Sequence, residues 1–173
     1  AQQASDIRAK FQAQALISDE ESAKRKRQID KVWSGVKSPF DSPVETYLRS
    51  RGIQGDPASW NNLFFHEQLS YKEDDQSPWT KHPGMLAIVR DKEGKPLTLH
   101  RTFLADDGKG KAQVSRQKML MAQPRDLRGA CIQLDRPVQT PAGKLIGIAE
   151  GIETALSIRE ATGCPMWVGI SDR

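Results

Sequence analysis

Histidine and cysteine are scarce in this chain of 173 residues, which contains three histidines and two cysteines. The histidines stand alone in the sequence, without the spaced partners of a structural zinc site, and this argues against a zinc protein. Cys131 and Cys164 lie far apart and follow no ligand spacing, which indicates free, buried thiols in a reducing compartment. A cytoplasmic protein is therefore expected.

Long apolar runs are absent as well. No stretch approaches the roughly 20 apolar residues that a membrane-spanning helix needs, so no membrane partner is expected. The hydrophobic fraction of 37% and the charged fraction of 28% are instead typical of a globular protein. A chain of this length can bury a substantial core, as one domain or as two small ones.

Positive charge is concentrated in one part of the chain, whose net charge is +4. Residues 85–136 carry 11 basic against 6 acidic residues, a surplus of 5. A basic surface of this kind suits a polyanion such as nucleic acid. Charges spread over a solvated surface would give the same composition, so both interpretations stay open.

Three segments with different patterns follow one another, and together they predict a mixed α/β protein. Residues 1–53 are predicted to be a helical N-terminal segment, residues 54–136 a small antiparallel basic subdomain, and residues 137–173 part of a parallel sheet. In the first segment, the apolar spacing predicts a helix over residues 5–36 with a break near residues 15–18. A second helix is expected after Ser42 because serine followed by Pro43 is a typical helix start.

A strand, a helix and a second strand are predicted in the last segment. Leu145 to Ala149 reads as a short buried strand, Ile152 to Thr162 as a helix that ends at Gly163, and Met166 to Ile170 as a second strand. This order predicts a βαβ unit with parallel strands. Ligands collect at the carboxyl ends of such strands, where Glu150 stands. An acidic residue that offsets the helix dipole would occupy the same place.

A β-hairpin is predicted earlier, with strands Met85 to Arg90 and Leu97 to Leu104. The turn Asp91 to Gly94 between them has the composition that hairpin turns favour. Arg101 alternates with apolar neighbours on the second strand, so it is expected to face a core or cleft, where a buried arginine needs an anionic partner.

The segment IAEGIETALS, which contains Glu150, resembles the first acidic motif of the Toprim domain. That domain is shared by bacterial-type primases, topoisomerases and some nucleases, and the Gly-Ile-Glu-Thr form is similar to primase-like proteins of phages and plasmids. The resemblance implies that Glu150 binds a divalent cation, Mg²⁺ or Mn²⁺, and acts as a general acid or base. Glu153 belongs to the same block, where it could equally lie on the solvated face of the helix.

The stretch MLAIVRDKEGKPLTLHRTFL, with RQKMLM after it, resembles the region that precedes the Toprim motif in bacterial replicative primases. By motif, Arg101 and Lys118 match basic residues that lie near the nucleotide and template in that family. Arg116 and Arg90 are further candidates for nucleic-acid or nucleotide binding. The resemblance implies single-stranded DNA and nucleoside triphosphates as partners, with helicase or other replication and transfer proteins as additional ones.

The chain departs from the Toprim pattern in one respect: no Asp-x-Asp motif follows Glu150, and Asp172 is the only acid beyond the helix. The chain is therefore expected to be a fragment: either residues beyond Arg173 complete the metal site, or this chain alone does no chemistry. Two alternatives to a primase stay open. One is a Toprim nuclease or topoisomerase-like enzyme that cleaves phosphodiesters, and the other is a non-catalytic module that binds DNA or protein.

Overall fold

The computed structural model describes residues 19–124 and 126–170. The first part of the predicted N-terminal helix and Asp172 lie outside the described residues. Within these ranges, no helix has both the length and the apolar character that a membrane span requires.

The described residues form three α-helices, a short 3-10 helix and ten β-strands. The helices are α1 (Asp19–Trp33), α2 (Pro43–Ser50) and α3 (Ile152–Thr162), and the 3-10 helix is Pro57–Ser59. The strands are β1 (Val36–Lys37), β2 (Leu63–Tyr71), β3 (Thr80–Arg90), β4 (Pro96–Phe103), β5 (Lys118–Leu120), β6 (Cys131–Gln133), β7 (Val138–Thr140), β8 (Gly143–Leu145), β9 (Gly147–Ala149) and β10 (Met166–Gly169).

Helix α2 begins as its sequence predicts. The Ser42 hydroxyl accepts a hydrogen bond from the backbone N–H of Val44, and Pro43 occupies the first turn, where its missing N–H costs nothing. The carboxylate of Glu45 accepts a hydrogen bond from the backbone N–H of Asp41. These contacts fix the start of α2, whose residue Tyr47 reaches the candidate site described below.

The long strand β3 organises the main sheet. Strand β4 pairs with one edge of β3, and β5 pairs with the far edge of β4. Strands β2 and β6 pair with successive parts of the other edge of β3. The Asn62 side chain binds the backbone of β3 at the junction between β2 and β6. Its Nδ2 donates a hydrogen bond to the carbonyl of Ile88 at 2.9 Å, and its Oδ1 accepts one from the N–H of Ile88 at 3.3 Å. The sheet then continues from β6 to β10 and β9, so it joins strands from all three predicted segments.

The predicted βαβ unit is present, with a different first strand. Strands β9 and β10 are parallel and α3 connects them, with Gly163 at a φ of 69° directly after the helix. The prediction of a buried strand from Leu145 to Ala149 was wrong, because Leu145 ends the separate β7–β8 hairpin, opposite Val138. Strand β9 lies at the edge of the described sheet, and its Ile148 is 69% exposed.

The mixed α and β content agrees with the predicted class, but most strand pairs in the described sheet are antiparallel. Strand β10 itself pairs antiparallel with β6 on its second side. A larger Toprim-like parallel sheet therefore stays a prediction.

Two apolar clusters cover the two faces of the sheet. One face packs against α2 and α3, and its buried residues include Met85, Ala87 and Val89 of β3. The other face carries Leu86 and Phe103 and packs against α1. Side chains alternate between faces along a strand, so these clusters define which residues of β4 and β5 share a site.

Candidate functional site

A cleft of about 600 Å³ opens at the carboxyl ends of β9 and β10. One side is formed by Glu150 and Gly151 after β9 and by Gly169 and Ile170 at the end of β10. The opposite side is formed by β4 and β5. The remaining lining residues are His100, Lys118, Met119, Leu120, Ile132, Ile152 and Val168. The cleft therefore combines an apolar floor with a few ionisable side chains, as ligand sites generally do.

Glu150 lies between the end of β9 and the start of α3. Its side chain is exposed to the cleft, and no hydrogen bond or ion pair formed within residues 19–124 and 126–170 engages it. Gly151 precedes the first turn of α3, and no described side chain caps that turn. The N-terminus of α3 thus presents its partial positive charge beside Glu150.

Lys118 reaches the cleft from β5. It pairs with Thr102 of β4, so its side chain lies on the same sheet face as His100 and on the α3 side of the sheet. The Lys118 ammonium donates a hydrogen bond to Oε2 of Glu153 at 2.9 Å. This contact ties the Lys118 ammonium to the first turn of α3, which begins directly after Glu150 and Gly151.

Glu153 is the centre of a polar network beside the cleft. Tyr47 of α2 donates a hydrogen bond to Oε1 at 2.6 Å, and the Lys111 ammonium lies 3.7 Å from the same oxygen. The Glu153 side chain is 14% exposed. Burial raises the pKa of its carboxyl, but the hydrogen bonds from Tyr47 and Lys118 outweigh burial and lower the pKa to about 2.

The pKa values of Tyr47 and Lys111, which both contact Glu153, are also shifted. Burial and the hydrogen bond to Glu153 raise the pKa of the Tyr47 hydroxyl, so it stays a donor. Burial and the neighbouring Lys118 charge lower the pKa of Lys111. The helical pattern alone did not decide whether Glu153 has a role in the motif or lies on a solvated helix face. Its partners lie 35 and 106 residues away in sequence, and no local signal reveals them.

His100 is a cleft residue that the sequence did not single out. Its Nδ1 atom is buried and has no hydrogen-bond partner among the described residues. Burial and the charge of Lys118 lower the pKa of the ring to about 4, so the imidazole is neutral at pH 7. A neutral imidazole can donate one hydrogen bond and accept one, and the buried Nδ1 atom does neither with any described residue.

Arg101 lies on the opposite face of the sheet. It pairs with Met119, one position from Lys118, so its side chain points toward the cluster under α1. The guanidinium donates to the carbonyl of Ser70 at 3.4 Å and lies 5.5 Å from the centre of the Phe103 ring. Its Nε is buried without a partner in the described part of the chain. Burial and the neighbouring Arg116 lower the pKa of Arg101.

The remaining predicted basic residues also lie away from the cleft. Arg116 is exposed, near Arg101, and its backbone N–H donates to the Tyr71 hydroxyl at 3.3 Å. Arg90 donates to the carbonyl of Gly94 at 3.1 Å within the hairpin turn. Of the predicted site residues, the cleft therefore brings together Glu150 and Lys118, whereas Arg90, Arg101 and Arg116 lie elsewhere.

The donor set of the cleft suits a divalent cation that is shared with a ligand. Within the described ranges, no group of three His, Cys, Asp or Glu side chains could enclose a metal ion. Glu150 offers one open carboxylate, while the Glu153 carboxylate is occupied by Tyr47 and Lys118. Mg²⁺ commonly binds one or two carboxylates and completes its shell with water and phosphate oxygens. Glu150 fits that mode and does not make a closed protein site.

Comparison with known proteins identifies a family. Neither the curated proteins nor the solved structures contain a match to the chain. A family model described as a domain of unknown function, DUF7146, matches residues 23–132. The match runs from α1 into β6 and includes His100, Arg101 and Lys118, but it ends before Glu150. The chain belongs to the DUF7146 family.

Proposed function

We propose that this chain is the primase-like region of a nucleic-acid enzyme that makes primers on single-stranded DNA in phage or plasmid replication or transfer. The reaction is metal-dependent nucleotidyl transfer. One observation carries the proposal: Glu150, Lys118 and the N-terminus of α3 line the same cleft at the carboxyl ends of a parallel strand pair. An open carboxylate beside an ammonium group and a helix N-terminus is an arrangement that suits a metal-bound polyphosphate.

The positive groups of the cleft bind and orient the phosphates of a nucleoside triphosphate. Lys118 supplies a positive charge, and the N-terminus of α3 supplies backbone N–H groups. Their positions on fixed elements align the α-phosphate for attack by a 3′-hydroxyl. That attack forms a phosphodiester bond and releases pyrophosphate.

Glu150 has two roles in this proposal. It accepts the proton of the attacking 3′-hydroxyl and it binds Mg²⁺ or Mn²⁺. The cation, when bound, neutralises the charge that develops on the phosphate oxygens. Within the described part of the cleft, the open carboxylate that would hold the cation is that of Glu150.

On the second face of the sheet, away from the cleft, Arg101 and Arg116 contact phosphates of the single-stranded DNA outside the paired position. Arg116 lies close enough to Arg101 for its charge to lower the pKa of the Arg101 guanidinium. Neither arginine forms an ion pair within the described residues. A half-buried guanidinium suits a phosphate oxygen as its partner.

Primer synthesis on single-stranded DNA tests the proposal. The protein is incubated with nucleoside triphosphates and Mg²⁺ or Mn²⁺, as wild type and as Glu150→Gln. We expect primers from the wild type and a loss of at least 100-fold in the variant, because the acid–base group and the cation ligand are removed together. Glu160→Gln, on the far end of α3, serves as the matched control and keeps full activity.

Other outcomes favour the alternatives. Cleavage of DNA that needs Glu150 but no nucleotide would replace the primase with a Toprim-like nuclease. Salt-dependent DNA binding that ignores Mg²⁺ and survives Glu150→Gln would indicate a non-catalytic binding module.

A further inference from the structure

Glu153 does not line the cleft, yet it contacts a residue that does. Its Oε2 accepts the hydrogen bond from Lys118 at 2.9 Å, and its Oε1 accepts the one from Tyr47 at 2.6 Å. Three separate parts of the chain meet at this carboxylate: helix α2, strand β5 and the loop that carries Lys111. A side chain that only covered a helix face would not connect them.

We propose that Glu153 is a positioning residue that holds the Lys118 ammonium at the cleft wall. The lysine side chain is then already ordered when the phosphates of a nucleoside triphosphate bind. The inference rests on the proposed function for the identity of the ligand. It adds a residue that acts through Lys118 rather than on the substrate itself.

Charge in the network favours phosphate binding. The ammonium groups of Lys111 and Lys118 both face the Glu153 carboxylate, at 3.7 and 2.9 Å, so the group of three retains a net positive charge. Glu153 therefore orients Lys118 without cancelling the attraction for an anion. The ammonium of Lys118 has three N–H donors, and Glu153 uses one of them.

The anchor itself is rigid. Tyr47 is 2% exposed and belongs to the core beneath α2, so its hydroxyl has a fixed position. The short hydrogen bond from Tyr47 fixes the carboxylate of Glu153, and the carboxylate in turn fixes Lys118. A free lysine samples many rotamers, and ordering it on binding lowers affinity by roughly 2- to 10-fold.

A double-mutant cycle tests the proposal through the affinity for ATP with Mg²⁺, measured by isothermal titration calorimetry. The variants are Lys118→Met, Glu153→Gln and the double variant. We expect Lys118→Met to weaken ATP binding by 10-fold or more and Glu153→Gln by roughly 3- to 10-fold. The double variant should bind ATP no more weakly than Lys118→Met, because Glu153 then has nothing to position.

Two further variants keep the test falsifiable if Glu153→Gln folds poorly. Tyr47→Phe removes one donor to Glu153 and should weaken ATP binding about 2- to 3-fold in the wild-type background, with no effect beside Lys118→Met. Glu160→Gln is the matched control, because that carboxylate of α3 binds the backbone N–H groups of Gln54 and Gly55 instead. It should leave ATP affinity unchanged.

The outcomes separate this inference from the proposed function. If Glu153→Gln weakens ATP binding by the same factor with and without Lys118, Glu153 acts independently and the positioning role is overturned. If Lys118→Met leaves ATP affinity unchanged, the proposed nucleotide site is overturned and the positioning role with it.

Discussion

The Glu153 carboxylate is ionised at a position where burial alone would favour its protonated form. Hydrogen bonds from Tyr47 and Lys118 reverse that preference and lower its pKa from 4.5 to about 2. The folded state therefore binds a proton on Glu153 less readily than the unfolded state does. This stabilisation is complete above pH 4.5 and is lost as the pH falls toward about 2.

Glu153→Gln should remove this part of the pH dependence. A difference between pKa values of 4.5 and about 2 corresponds to roughly 3 kcal/mol of unfolding free energy. Urea unfolding at pH 7 and pH 3 measures the effect: the gap in unfolding free energy between wild type and variant should be smaller at pH 3. An equal gap at both pH values would show that the ionised carboxylate is not what stabilises the fold.

His100 should titrate far below an ordinary histidine. Its folded pKa of about 4 lies below the usual 6.5, so the unfolded state takes up the proton first as the pH falls. The stability associated with the neutral ring is full above pH 6.5 and is lost between pH 6.5 and about 4. An NMR titration of the ring resonances checks this directly. A midpoint near 6.5 would mean that the ring is solvated and does not form a wall of the cleft.

The fate of Arg101 and Lys118 shows what residue patterns can and cannot predict. Alternation along β4 predicted one face for Leu97, Leu99, Arg101 and Phe103. Leu99 and Phe103 lie in the cluster under α1, whereas Leu97 packs in the cluster of the other face. The pairing of β5 with β4 could not be predicted, because the loop before Lys118 has no pattern that fixes its path. A shift of one residue moves a side chain to the other face, and the observed pairing places Lys118 opposite Thr102.

Among the elements, β2 and β6 depend on one side chain for their junction. Asn62 is 4% exposed and makes both of its hydrogen bonds to the backbone of Ile88 in β3. The βαβ unit attaches to β3 through β6, so this junction connects the candidate cleft to the rest of the sheet.

Asn62→Ala should lower the free energy of unfolding by about 2 kcal/mol, because two hydrogen bonds are lost and the backbone groups of Ile88 lose their partners. Chemical denaturation measures the change. The exposed neighbour variant Asn61→Ala is the control and should stay within about 0.5 kcal/mol of wild type. Equal stability of the two variants would contradict the role given to Asn62.

Local signals predicted two helix ends well and the short strands poorly. The prediction that the first helix extends to residue 36 was wrong, because α1 ends at Trp33 and Val36 pairs with His66 in strand β1. Ser42 with Pro43 fixed the start of α2, and Gly163 fixed the end of α3, because both signals act within one helical turn. Strand β9 was predicted too long, because an apolar run does not show where one strand ends and a new one begins. Leu145 belongs to a hairpin whose partner strand has little apolar character.

Across the whole molecule, the basic residues divide between two faces of one sheet. Lys118 lies on the face of α3, and Arg101 lies on the face of α1. The excess of positive charge in residues 85–136 was visible in the sequence, but its division into two surfaces depends on pairings between distant strands.

This division predicts that the two faces contribute differently to DNA binding. Each phosphate contact on a single strand contributes about 0.7 to the slope of log affinity against log salt concentration. Arg101→Gln should reduce the slope by about that amount, whereas Lys118→Met should leave it unchanged, because Lys118 binds the nucleotide in the cleft. Fluorescence anisotropy with a labelled oligonucleotide measures the slopes, with Lys92→Met in the exposed turn as control. An unchanged slope in Arg101→Gln would remove Arg101 from the DNA contact surface.

The central claim is that Glu150 binds a cation together with a nucleotide in the cleft. The most direct measurement is the affinity for ATP in Mg²⁺ and in EDTA, for the wild type, Glu150→Gln and the Glu160→Gln control. We predict that Mg²⁺ strengthens ATP binding at least 10-fold in the wild type and the control, since the cation links carboxylate and phosphates. In Glu150→Gln this gain should disappear. An equal gain from Mg²⁺ in all three proteins would contradict the account.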